Sequence, residues 1–196
     1  MGDEQREQVR DWLVLAMNCT ACPLAGHQTK PITYAGSFLS KYLVIGQNPG
    51  EIRKTDVKRL SLAKVMNSEP DPFRYRKLYH HDFETSTAAF RMALIFGPDW
   101  INNGDFCFTN VALCRTVGNV MPLQGYVDTC IDQNIGPFVD LWAKQANAKA
   151  VVLMGRSAQT LLIPYPNLQI WQIPHYARWN ARGQVTELKK QWESFR

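Results

Sequence analysis

The chain has 196 residues, 45% of them hydrophobic, enough to bury one substantial core in a single domain over 1–196. Its formal net charge of +5 and pI near 9.0 suit a polyanionic partner without establishing one, since many basic proteins bind nothing acidic. No apolar run has the length of a membrane span and the charged start MGDEQREQVR has no signal-peptide core behind it, so a soluble, cytoplasmic protein with no membrane partner is expected; separately, a monomer is expected.

Helical periodicity first runs over 4–17, and a polar turn, Asn-Cys-Thr-Ala-Cys-Pro, follows with Cys19 and Cys22. The run 42–45 is too short for a helix, rich in β-branched and aromatic residues, and closed by Gly46, which reads as a buried strand. The same reasoning gives strands at 106–109, 150–154 and 169–173. Between them helical patterns occupy 85–96, 126–145 and 157–163, and a last helix covers 188–195. Strictly alternating strand and helix predicts an α/β fold, a three-layer α/β/α sandwich around a central four-stranded parallel sheet.

The unusual polar residues fall at strand C-termini, where open α/β sheets form their ligand crevice. Gly46-Gln47-Asn48-Pro49-Gly50 follows the first strand, Asn110 ends the second, Gly155-Arg156-Ser157 follows the third, and Pro174-His175 follows the fourth. One stretch, 51–82, exceeds what a minimal sheet-and-helix chain needs; it is basic, aromatic and Pro-punctuated, an enlargement read as a solvated excursion or a flap over substrate.

Cys19 and Cys22 form a C-x2-C pair, and after a gap of 91 residues Cys114 and Cys130 form a C-x15-C pair. A tight pair joined to a distant, looser one is what a buried metal centre needs, and in a reducing compartment ligation is favoured over disulfides. Thiolate-only ligation suits either an iron–sulfur cluster or zinc, and the spacing does not separate them. Cys107, in the apolar run Phe106-Cys107-Phe108, is read as core.

This ordered set resembles the uracil-DNA glycosylase superfamily, and most of all its iron–sulfur branch, the family 4 enzymes. The likeness rests on C-x2-C-P-L at 19–24, GQNPG at 46–50, FTNVALCR at 108–115, Cys130 at the head of a helix, VVLMGRSA at 151–158 and the late His175. It covers nearly the whole chain apart from 51–82. The resemblance implies a DNA glycosylase that flips uracil out of DNA, hydrolyses the N-glycosidic bond and leaves an abasic site for base excision repair. It also implies a structural 4Fe–4S cluster on Cys19, Cys22, Cys114 and Cys130, with zinc as the alternative occupant.

Carried over residue by residue, the resemblance implies that Asn110 reads the uracil edge, its amide offering one donor and one acceptor to O4 and N3–H. His175 donates to O2 of the departing base, although the family's H-P-S is here His175-Tyr176-Ala177. Phe83 stacks on the flipped base, with Phe73 a rival. Family 4 enzymes carry GEAPG where this chain has GQNPG, closer to mismatch-specific and single-strand-selective relatives, so no carboxylate occupies 47 or 48. Asn48, and second Gln47, would orient the attacking water without deprotonating it. Arg156 and Ser157 open a helix as a phosphate seat, Trp179 is the wedge that fills the vacated stack, and Arg178 lies beside it at the DNA backbone.

Two other readings stand beside this one. A nucleic-acid-binding protein of the same fold that is catalytically weak or inactive fits the carboxylate-free loop. An unrelated α/β enzyme holding a nucleotide over a structural zinc is the other, although GQNPG is neither a P-loop nor a dinucleotide fingerprint.

Overall fold

A computed structural model of the chain describes residues 3–25, 31, 33–49, 87–98, 100, 103–116, 120–176, 179 and 182–196. Helix α1 (Asp3–Met17) leads to strand β1 (Ala35–Gly36) and strand β2 (Tyr42–Gly46). Helix α2 (Thr87–Phe96) and strand β3 (Phe106–Asn110) come next. Helix α3 (Gln124–Cys130) passes through a π-helical turn (Ile131–Ile135) into helix α4 (Gly136–Ala143). Strand β4 (Ala150–Met154), a single-turn helix α5 (Arg156–Gln159), strand β5 (Gln169–Ile173) and helix α6 (Arg182–Phe195) complete the order.

The sheet order is β1-β3-β2-β4-β5. Strands β3, β2, β4 and β5 are mutually parallel, whereas β1 pairs antiparallel with β3 through Ala35 and Phe108. The sheet is therefore mixed and five-stranded, a correction to the expected four parallel strands. The added strand is two residues of Ala and Gly, too short and too weakly apolar to leave a pattern in the sequence. The four expected strands all form, because β2, β3 and β4 are buried on both faces and read as continuous apolar runs. At the far edge β5 is largely exposed, and its Gln169 and Gln172 keep that edge wet.

Helices cover both faces of the sheet. On one face Leu43, Ile45, Cys107, Val151 and Leu153 meet Val9, Trp12 and Leu13 of α1 and Phe138, Val139 and Trp142 of α4. The 3- and 4-residue spacing of Val9, Trp12, Leu13 and Ala16 makes α1 amphipathic, and it buries that stripe. On the other face Tyr42, Val44, Phe106, Phe108 and Val152 meet Met92, Ile95 and Phe96 of α2 and Leu188 and Trp192 of α6. Trp192 anchors that side, its ring centroid 4.9 Å from both Tyr42 and Phe96.

Three helix expectations need adjusting. The unbroken helix over 126–145 is interrupted by the π turn, where the Gly136 N–H bonds the Ile131 carbonyl five residues back. The helix over 157–163 is only the single turn of α5. The last helix begins six residues before 188, at Arg182.

Candidate functional site

The parallel registers bring the strand ends level. Gly46 pairs with Asn110, Ile45 with Leu153, and Met154 with Ile173. The alignment continues past the strands, because Val111 N–H donates to Gly46 O at 2.9 Å, Ala112 N–H to Gln47 O at 3.0 Å, and Gly155 N–H to Ile173 O at 2.9 Å. The loops bearing Gln47, Asn48, Asn110, Arg156 and His175 thus leave the sheet at one edge.

Gly46 is the floor of that edge. A methyl group there would lie 2.6 Å from Asn110 Oδ1, 3.1 Å from Phe108 Cζ and 3.4 Å from Met154 Cε. Only a residue without Cβ lets the Asn110 amide lie across the end of β2. Asn110 is itself 6% exposed, and no hydrogen bond to a described residue occupies its side-chain amide. A buried amide with no side-chain partner among the described residues is suited to a ligand with matching donors and acceptors.

Gly155 plays the same part for the histidine. It holds φ at +87°, a conformation that favours glycine, and a Cβ there would meet His175 Cβ at 3.0 Å. The His175 ring packs on this backbone and against Tyr176, with centroids 4.2 Å apart. Between β3, which carries Asn110, and β5, which precedes His175, lie β2 and β4, so the two backbones are about 14 Å apart at normal strand spacing. The two side chains reach inward over neighbouring strands, Asn110 over Gly46 at the end of β2 and His175 over Gly155 after β4.

Asn48 is held in a chain of hydrogen bonds. Its Nδ2 donates to Thr116 Oγ1 at 3.2 Å and to Pro49 O at 3.2 Å, and its Oδ1 accepts from Gln47 Nε2 at 3.1 Å. The Thr116 hydroxyl in turn donates to Val120 O at 2.5 Å. Both Asn48 donors are used, which leaves the second lone pair of Oδ1, and Gln47 Oε1, as acceptors for a further group. Thr116 was not visible as a site residue in the sequence; its one signal is its place two residues after Cys114.

The remaining expected site residues divide. Arg156 is exposed at the start of α5. Ser157 is 2% exposed, and its buried hydroxyl has no hydrogen-bond partner among the described residues. Trp179 is 5% exposed, packs in the core on the α2 and α6 face, and donates from Nε1 to Pro174 O at 3.0 Å. It is a packing residue and not an exposed wedge. Phe83, Phe73, Arg178 and the enlargement 51–82 lie outside the described residues.

The four cysteines lie near one another, with Cys130 packed on the α1 and α4 side. Cys114 is buried, whereas Cys19, Cys22 and Cys130 are half-buried; all four are free thiols. Burial pushes the Cys114 thiol up to about 12, with Cys130, Cys22 and Cys19 adding to the shift. Burial raises Cys130 to about 11 together with Cys19 and Cys22, against the lowering pull of the Leu113 N–H and the Asn134 amide. Those two donors point at sulfur: Leu113 N lies 3.4 Å from Cys130 Sγ, and Asn134 Nδ2 lies 3.6 Å from Cys19 Sγ and 3.9 Å from Cys130 Sγ. Among the described residues no three His, Cys, Asp or Glu side chains are grouped closely enough to hold a single metal ion. The four sulfurs are thus close enough to perturb one another and too spread to close on one ion. Asn134 was also missed in the sequence, although its spacing four residues after Cys130 puts it on the same helical face.

Comparison with protein-family models gives no match to the chain, and comparison with curated proteins gives none. Among the described residues no helix is long and apolar enough to cross a membrane.

Proposed function

We propose that this protein is a monofunctional uracil-DNA glycosylase on a three-layer α/β/α frame, acting on uracil flipped out of DNA. The observation that carries the reading is the pairing of two side chains with two Cβ-less positions at one sheet edge, Asn110 over Gly46 and His175 over Gly155. Asn110 brings an amide with both hydrogen-bonding senses, which matches the O4 and N3–H of uracil and mismatches cytosine. His175 needs only its neutral form, because one ring nitrogen is always a donor to the oxygen that gains charge as the base departs. Asn48 Oδ1 and Gln47 Oε1 are acceptors for a water, which they orient but do not deprotonate. When the base leaves with the bonding electrons ahead of water attack, orientation is sufficient. The exposed Arg156 and the charge of +5 favour a phosphate backbone as partner.

The four cysteines are the residues that would hold a structural 4Fe–4S cluster, with zinc as the alternative occupant. N–H donors aimed at sulfur stabilise the thiolates that either would need. Bound there, the cluster would tie the turn after α1 to residues 114 and 130, supplying stability and no chemistry in the crevice.

Incubation with a uracil-containing oligonucleotide followed by alkali tests the reading, which predicts breaks at the uracil alone. Tight DNA binding without breaks would favour the catalytically inactive nucleic-acid-binding reading, which the absence of a carboxylate at 47 and 48 supports.

A further inference from the structure

We propose that Asn134 is a positioning residue for the thiolate centre, its amide nitrogen shared between the sulfurs of Cys19 and Cys130 so as to stabilise both in the ligated, charged state. The inference rests on the reading of the four cysteines as ligands given above. Asn134 Nδ2 carries two hydrogens, and its partners among the described residues are the two sulfurs, at 3.6 Å and 3.9 Å. Cys19 belongs to the turn after α1 and Cys130 to the end of α3, so one side chain bridges segments more than a hundred residues apart in sequence.

The placement is built, not incidental. Asn134 lies in the π turn, the interruption that distinguishes this helix from a regular one, and such turns occur frequently at functional sites. Its backbone carbonyl accepts Trp12 Nε1 at 2.8 Å, and the Trp12 ring lies tilted against Phe138 with centroids 4.5 Å apart. The helix that leads into Cys19 therefore also holds the residue that donates to it. Asn134 is 4% exposed. A neutral thiol is a weak acceptor and returns little for a buried amide, whereas a thiolate is a strong one. The arrangement makes sense when the sulfurs carry charge.

A purely structural role and this one diverge for Asn134→Leu. Leucine matches the volume, so a merely packing side chain tolerates it, whereas a sulfur donor does not. Wild type and variant, purified anaerobically, are analysed for iron, sulfide and zinc, challenged with a chelator, and, once stripped of metal, melted. Wild type should carry metal, and the variant should lose about 10–100-fold in retention against the chelator, the range for outer-shell partners of metal ligands. Its sulfur-to-metal absorption should shift, and the stripped proteins should melt together. Asn134→Asp, the same shape with the donor replaced by an anion, should lose more, and it serves if the leucine variant does not fold. Retention and absorption equal to wild type, or a stripped variant that melts as far below wild type as the loaded one, would overturn the proposal alone. A wild type purified without metal would overturn the thiolate centre and this inference together, leaving uracil excision to its own assay.

Discussion

Gly46→Ala probes the site at its floor. The new methyl would lie 2.6 Å from Asn110 Oδ1, closer than side-chain methyls come to oxygen, and 3.1 Å from Phe108 Cζ, so one of them must move. Phe108 is fixed in the core on the α2 and α6 face, which leaves the Asn110 amide to swing away. Inserting a methylene-sized group in packed surroundings costs about 1–3 kcal/mol. At about 2–4 °C per kcal/mol for a domain of this size, the melting temperature should fall by roughly 2–12 °C. Activity should fall further than stability, because a displacement of about 1 Å in a substrate-positioning group can cost on the order of 100-fold in rate. Single-turnover uracil release at a temperature well below both melting points separates the two effects. A variant that melts lower yet releases uracil at the wild-type rate would refute the placement of Asn110 as the base reader.

Thr116→Val removes the acceptor of Asn48 Nδ2 at nearly constant shape; one hydrogen bond of about 1 kcal/mol corresponds to roughly 5-fold slower base release, and Thr116→Ser should restore the wild-type rate. Trp179→Ala should cost about 3–5 kcal/mol of stability through the lost core ring, read as a lower urea midpoint. A variant with unchanged stability and impaired DNA binding would instead point to a wedge. In metal-stripped protein, Cys114 and Cys130 titrate at about 12 and about 11 when folded, against an ordinary 9.0, so folding favours their neutral thiols. Their contribution to stability is complete below pH 9 and is lost as pH rises through 11 to 12; melting scans across that window should fall for stripped protein and not for metal-loaded protein.

Much of the fold was legible because parallel strands read as short apolar runs closed by turn residues, even β5, which is largely exposed. The runs in β2, β3, β4 and β5 have no period and end in Gly, Asn or Pro, which also located the loops of the site. The two-residue β1 has no such run, and its pairing with β3 is decided by tertiary contact. The π turn was invisible because 126–145 has continuous helical periodicity, and the extra residue in that turn is set by contacts such as Trp12 Nε1 to Asn134 O. Trp179 is buried for an instructive reason. Its chain position after His175 fits a surface wedge, but an indole is too large an apolar surface to leave out when a core lies within reach, and its N–H finds Pro174 O. Asn48, Thr116 and Val120 form a connection spanning the sheet edge that no local pattern encodes.

The central claim is that the edge holding Asn110 and His175 excises uracil. Its most direct measurement is single-turnover uracil release from a defined oligonucleotide by wild type and Asn110→Asp side by side. The account predicts release by wild type and a loss of release, or of discrimination against cytosine, when aspartate replaces the amide donor. Equal rates and equal selectivity for the two proteins, or no release by wild type carrying its full complement of metal, would contradict it.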